Sequence, residues 1–217
     1  MTDLNNQDII GRETETSSTW ILLQIADSVF PTGGFSHSFG FESATKHGFV
    51  TDFNGFKAFV LSSLQNAELD GILQAYLSNH VANRASFRQG NSLLVTACKT
   101  FGNQEMTNLQ GELENKRLYG HFATMFGFMC GVLKLSLVQT QQLFLFSTLR
   151  TVIASAVRLG NIGPLQAQSI QFEMQKTAEK IRKKFEESTV EEATTTAPVA
   201  DFLQGAHDNL FSKLFYS

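Results

Sequence analysis

From Pro164 onward the apolar residues Ala167, Ile170, Met174, Ala178, Ile181 and Phe185 are spaced by three or four. That spacing puts one continuous stripe on a helix, whereas a strand would alternate its side chains between two faces. Pro164, preceded by Gly163, supplies the start, because a proline at the first helical position gives up no hydrogen bond. The same periodicity recurs along the chain, and twenty phenylalanines against three prolines leave few breaks. The expected fold is therefore all-α, a single-domain helical bundle.

A second helix is signalled by Ser136-Leu-Val-Gln139, a capping box, and ends at Gly160. Between them Leu143 to Phe146, Leu149, Val152, Ile153, Ala156 and Val157 leave little polar surface, which predicts a helix over 137–159 at the centre of the bundle. Arg150 and Arg158 on this helix are expected to reach the surface or to cap a carbonyl. Further helices are expected over 53–67, 69–81 and 92–101. Gly120, Ala123, Gly127 and Gly131 recur at helical spacing, which predicts close approach of another backbone there.

Domain organisation follows from composition. Residues 1–19 read as a polar, disordered tail and 20–185 as the helical body. The acidic, Thr-rich stretch 186–198 reads as a flexible linker. Beyond it, Phe202, Leu203, Ala206, Leu210, Phe211 and Leu214 predict a C-terminal helix over 199–214. Its apolar face must land on the body or on a partner, and the linker suggests a separable, partner-docking end.

With 42% apolar and 17% charged residues the chain can bury a core. A net charge of −3 argues against a surface for nucleic acid. The one basic cluster, Lys180 to Lys184, reads as a solvated helix end. Phe122 to Leu133 is too short to cross a membrane, against the roughly 20 residues required. Met1 to Thr19 has no leader-like pattern, so the expected location is cytoplasmic. Cys98, Cys130, His37, His80, His121 and His207 show no metal-ligand spacing, and no cofactor motif is present, so neither metal nor cofactor is expected.

The densest motif runs from Leu22 to Glu42. Its Pro31-Thr-Gly-Gly34 core demands a turn, with glycine supplying positive φ at Gly33 or Gly34. The segment lacks the lysine of a phosphate loop. Ser36, His37 and Ser38 could suggest nucleophilic catalysis, with Arg158 as a third group, but neighbours in sequence do not form a nucleophile, base and orienting residue. A histidine packed against the turn is the simpler reading.

This segment resembles the signature of UreF proteins, a Leu-Leu-Gln-x-x-Asp-x-x-Phe-Pro-x-Gly-x-x-x-His-Ser-x-Gly-x-Glu run. Four more stretches in the same order are similar to that family: Arg84-Ala-Ser-x-x-Gln-Gly90, Gly120-His-Phe-x-x-x-Phe-Gly127, Ala156-Val-Arg-Leu-Gly-x-Ile-Gly-Pro164, and the chain end from His207 to Ser217. Two departures stand out. Lys213 occupies the place of the family's arginine, and lysine lacks its planar fork. The 64–84 region is also shorter than usual for the family.

The resemblance implies an all-α, non-enzymatic accessory protein that forms a homodimer. It would bridge UreD (also called UreH) and the GTPase UreG as nickel is delivered to the urease apoprotein. It also implies partner binding through Phe35 and His37 of the turn and through Phe211, Lys213, Leu214, Phe215 and Ser217 of the tail, with Pro31, Gly33 and Gly34 shaping the turn. An alternative within the family is regulation of UreG GTP hydrolysis, with Arg150, Arg158 or Lys213 supplying the cation. A small helical hydrolase is the reading outside it.

Overall fold

The structure is a computed structural model, and it describes residues 18–56, 58–60, 79–115, 119–186 and 198–216. These fold into helices, with no strand among them. Helix α1 covers residues 18–26, α2 Phe41–Lys46, and α3 begins at residue 53 and is described as far as 60. They are followed by α4 (His80–Phe101), α5 (Gln104–Glu114), α6 (Phe122–Val132), α7 (Leu137–Arg158), α8 (Pro164–Lys184) and α9 (Pro198–Gly205). Single 3-10 turns lie at Gly34–Ser36 and Ala206–Asn209. The linker residues 187–197 and most of the N-terminal tail lie outside the described residues, as do residues 61–78 and Ser217, so the shortened 64–84 region is described only from Asn79 on.

The two strongest sequence signals hold in atomic detail. Ser136 Oγ accepts the Gln139 N–H at 3.2 Å while the Gln139 side chain accepts the Ser136 N–H at 2.9 Å, the reciprocal pair of a capping box. Gly160, just past α7, takes φ 74°, as a helix stop requires. On α8 the stripe faces inward: Ala167, Ile170 and Ile181 are buried, and Met174, Ala178 and Phe185 pack against the same core.

That core joins α2, α3, α7, α8 and α9 through residues such as Phe41, Phe56, Val152, Ile170 and Leu203. A second core joins α1, α4, α5 and α6 around Ile25, Leu93, Met106, Phe126 and Met129. Helix α7 feeds both, with Leu143 in the second and Leu145, Leu149, Val152, Ile153 and Ala156 in the first. The central position expected for it follows from its nearly all-apolar girth.

Several expectations change. The helix placed over 92–101 starts at His80, capped by Asn79, whose side chain accepts the N–H groups of Val81 and Ala82; of the helix expected over 69–81, residues 69–78 lie outside the described residues and 79–81 are the cap and start of α4. The close backbone approach expected along this stretch is found at Gly120, where Gly90 meets it, and not at Gly127 or Gly131. A Cβ on Gly90 would lie 2.7 Å from the Phe122 nitrogen, whereas nothing lies within 4 Å of one on Gly127 or Gly131. Ser86, one turn before Gly90, accepts the Phe122 N–H at 3.2 Å, so α4 binds the start of α6 at backbone range. Within the basic cluster at the end of α8, Arg182 is buried and pairs with Glu179 and Glu186 at 2.9 and 3.1 Å.

The C-terminal helix is also shorter than expected. It ends at Gly205, and after the 3-10 turn residues 210–216 are non-helical. Their backbone donors go elsewhere: those of Leu214 and Phe215 to Glu42, and that of Tyr216 to the Ser36 carbonyl. The described end of the chain is thus packed on its own body, with Leu203, His207 and Phe215 buried.

Candidate partner-binding site at the signature loop and chain end

The Pro31-Thr-Gly-Gly34 turn is built as its residues require. Gly33 takes φ 77°, a left-handed conformation that side chains disfavour, and the 3-10 turn at Gly34–Ser36 follows. The turn buries Gly34 and His37 and exposes Pro31 and Phe35, the latter 74% exposed.

Two arginines hold the loop and the chain end together. The Arg158 guanidinium lies 3.9 Å from the Phe35 ring centroid and 4.3 Å from that of Phe215, and its Nη1 donates to the Phe35 carbonyl. Such stacking is worth about 0.5–2 kcal/mol per ring, more where water is excluded. On the other side of the loop Arg88 covers the Tyr216 ring at 4.1 Å, while the Tyr216 N–H donates to Ser36 O at 2.8 Å. Arg150 likewise caps a carbonyl, that of Ala26 at 2.9 Å.

Beneath the tail sits Glu42, fully buried. Burial alone would raise its carboxyl, but the N–H groups of Leu214 and Phe215 and the Lys46 ammonium, 3.0 Å away, outweigh it and hold the group below its ordinary value. His207 is buried beside it, with Nε2 3.3 Å from the Phe215 carbonyl. His37 packs edge-on to Tyr216 at 6.4 Å. Burial, with the nearby charges of Arg88 and His207, drops its pKa to about 4. A base that weak is poorly matched to proton abstraction near neutral pH, which argues against a hydrolase built on Ser36, His37 and Arg158.

Phe35, His37, Leu214 and Phe215 converge on one face around Arg158 and Glu42. Phe211 stands away from the body, fully exposed, and Leu214 and Tyr216 are about half exposed. Lys213 turns back on its own segment, donating to the Asp208 carbonyl at 3.1 Å and facing the Asp208 carboxylate at 3.6 Å. The same carboxylate takes Arg84 at 2.8 Å and His80 at 3.2 Å. Ser217 lies outside the described residues. Sequence reasoning missed Glu42, Arg88 and His207 as parts of this site. Glu42 carried a signal, as the last residue of the Leu22 to Glu42 motif, while Arg88 falls at an unmatched position of the Arg84 to Gly90 stretch.

Among the described residues no three His, Cys, Asp or Glu side chains are grouped to hold a metal, and no helix is long and apolar enough to cross a membrane. Comparison with known proteins decides the family, because the UreF family model matches residues 54–175, more than half of the chain. The chain belongs to the UreF family. It is 37% identical to urease accessory protein F of Oryza sativa subsp. indica over 221 residues, covering 91% of this chain and 85% of that one. It is 33% identical to urease accessory protein F of Arabidopsis thaliana over 242 positions, which cover both chains completely. A bacterial relative, urease accessory protein UreF of Paenarthrobacter aurescens, is 30% identical over 168 residues, 69% of this chain and 75% of that one. The Arabidopsis alignment is longer than this chain's 217 residues, so that UreF protein carries residues this one lacks. UreF proteins are accessory to urease; the role is in urease maturation together with other maturation proteins, and it is not that of an enzyme.

Proposed function

We propose that this UreF protein is an adaptor that bridges UreD (UreH) and the GTPase UreG while nickel is delivered to the urease apoprotein, acting as a homodimer in the cytoplasm. One observation carries the reading: Arg158 is clasped between Phe35 and Phe215, so the signature loop and the chain end form one surface. Around it Phe35, Phe211, Leu214 and Tyr216 remain exposed, an apolar and aromatic group beside fixed arginines, the composition of a protein interface. A tethering role is favoured over supply of a catalytic arginine to UreG. Arg150 and Arg158 each cap a carbonyl of this chain, and Lys213 holds Asp208, so none extends toward a second active site.

The test is co-purification of the full chain with UreD and, separately, with a preformed UreD–UreG mixture. Retention of both partners in one complex is expected. Failure to retain either overturns the bridging role. UreG turnover measured at matched UreD, with and without this chain, separates tethering from activation.

A further inference from the structure

Behind the signature loop lies a cavity of about 270 Å³ with α7 as one wall. Helix α7 gives it two rows of side chains at one-turn spacing: Arg150, Ala154 and Arg158 in one, and Ser147, Thr151 and Ser155 in the other. The small Ala154 lies one turn from each arginine on the same wall. No carboxylate lines the cavity, and none among the described residues lies within ion-pair distance of either arginine. Asp27, next to the Ala26 carbonyl that Arg150 reaches, turns one carboxylate oxygen, Oδ1, to the Val29 N–H at 2.7 Å and the Ser28 hydroxyl at 3.4 Å, and does not line the cavity. Two half-buried cations therefore line one space with no counter-charge from the described residues, a costly arrangement that a bound anion would offset.

The hydrogen-bond inventory narrows the ligand. Each guanidinium commits an N–H to a carbonyl, Ala26 for Arg150 and Phe35 for Arg158, and keeps further donors in the planar fork that fits a carboxylate. The hydroxyls in between have the opposite need. Thr151 donates to the Ser147 carbonyl at 2.8 Å and Ser155 to that of Val152 at 2.7 Å, so their oxygens are left as acceptors. A complementary molecule is acidic toward the two arginines and carries O–H donors between. The volume lies just below the usual range of roughly 300–1,000 Å³ for ligand pockets, so the molecule is small.

We infer that this cavity is a binding site for a small hydroxylated carboxylate with more than one acid group. This goes beyond the bridging role and does not depend on it, because the cavity lies within a single chain.

Titration calorimetry of the full chain with citrate tests the site, with inorganic phosphate and chloride at matched ionic strength as comparisons. One saturable site with a dissociation constant of about 1 mM or tighter is expected for citrate. Arg150→Gln and Arg158→Gln, which keep an N–H for the capped carbonyl, should each weaken it about tenfold or more. Lys99→Gln, an exposed charge on α4, should not. Should Arg150→Gln fail to fold, Arg150→Lys keeps the charge without the fork and should still weaken binding. Absence of saturable citrate binding overturns the inference, as does binding unchanged in the folded arginine variants. Phosphate binding as tightly as citrate overturns the carboxylate assignment.

Discussion

The carboxylate of Glu42 accepts the backbone N–H groups of Leu214 and Phe215, at 2.7 and 3.0 Å, across 172 and 173 positions of sequence. One buried side chain thereby fixes the path of the chain end, and with it the place of the Phe215 ring over Arg158. Glu42→Ala would leave the buried Phe215 donor unpaired, which costs about 1–3 kcal/mol, more with the charge-assisted bonds counted. The expected result is a lower melting temperature together with faster amide exchange confined to residues 210–216. Exchange unchanged in that stretch would show that Glu42 does not hold it.

Truncation before Asp208 should likewise destabilise the body, since it uncovers Arg158 and strands the Glu42 carboxylate. The sequence alone suggested a separable tail; a circular dichroism melt of the truncated chain measures which holds, and a clear drop is expected.

His37 titrates with the opposite consequence for acid and neutral solution. Its pKa is depressed from 6.5 to about 4 in the folded chain, so between those values the unfolded state binds the extra proton. Stability should be full above pH 6.5, fall as the pH drops toward 4, and lose about 3 kcal/mol from this group over that window. Glu42, also depressed, adds a further loss as the pH falls below its ordinary value of 4.5. Denaturant melts from pH 7.5 to 4 should show the slope, and His37→Gln should flatten the part above pH 4.5.

Gly90→Ala places a methyl against the backbone of Gly120 to Phe122, which cannot yield as a side-chain tip could. A loss on the order of 1–3 kcal/mol is expected, as for other overpacked positions. Gly127→Ala, with open space around it, should be neutral or slightly stabilising through helix propensity. Urea midpoints of the two variants provide the comparison.

Ile153 is buried in α7, where a carboxylate would have no partner in its core. Ile153→Asp should cost several kcal/mol, a large share of the 5–15 kcal/mol that holds a typical domain. A soluble variant with an unchanged melt would contradict the central place of α7.

What could be read from the residues was local. Spacing on α8 and the Ser136 to Gln139 box define their helices because the determinants lie within one or two turns. The 210–216 segment could not be read that way, because its apolar residues fall at helical spacing while its donors are claimed by Glu42 and Ser36 from the other end of the chain. The spacing points to a close approach at Gly120 but not to Gly90 as its partner, because the two lie thirty residues apart. The motif resemblance pointed to the loop and the tail separately, while the Arg158 clasp that joins them is a tertiary fact.

The most direct test of the bridging surface uses Phe211, which is fully exposed and touches little of its own chain. Affinity for UreD is measured for the parent chain, Phe211→Ala and Lys213→Ala, beside a melt of each. Phe211→Ala should leave the melt unchanged and weaken UreD binding by about tenfold or more, as expected of an aromatic anchor. Lys213→Ala should weaken binding less and lower the melt through the loss of Asp208. Undiminished UreD binding by Phe211→Ala, with a normal melt, would contradict docking through the chain end.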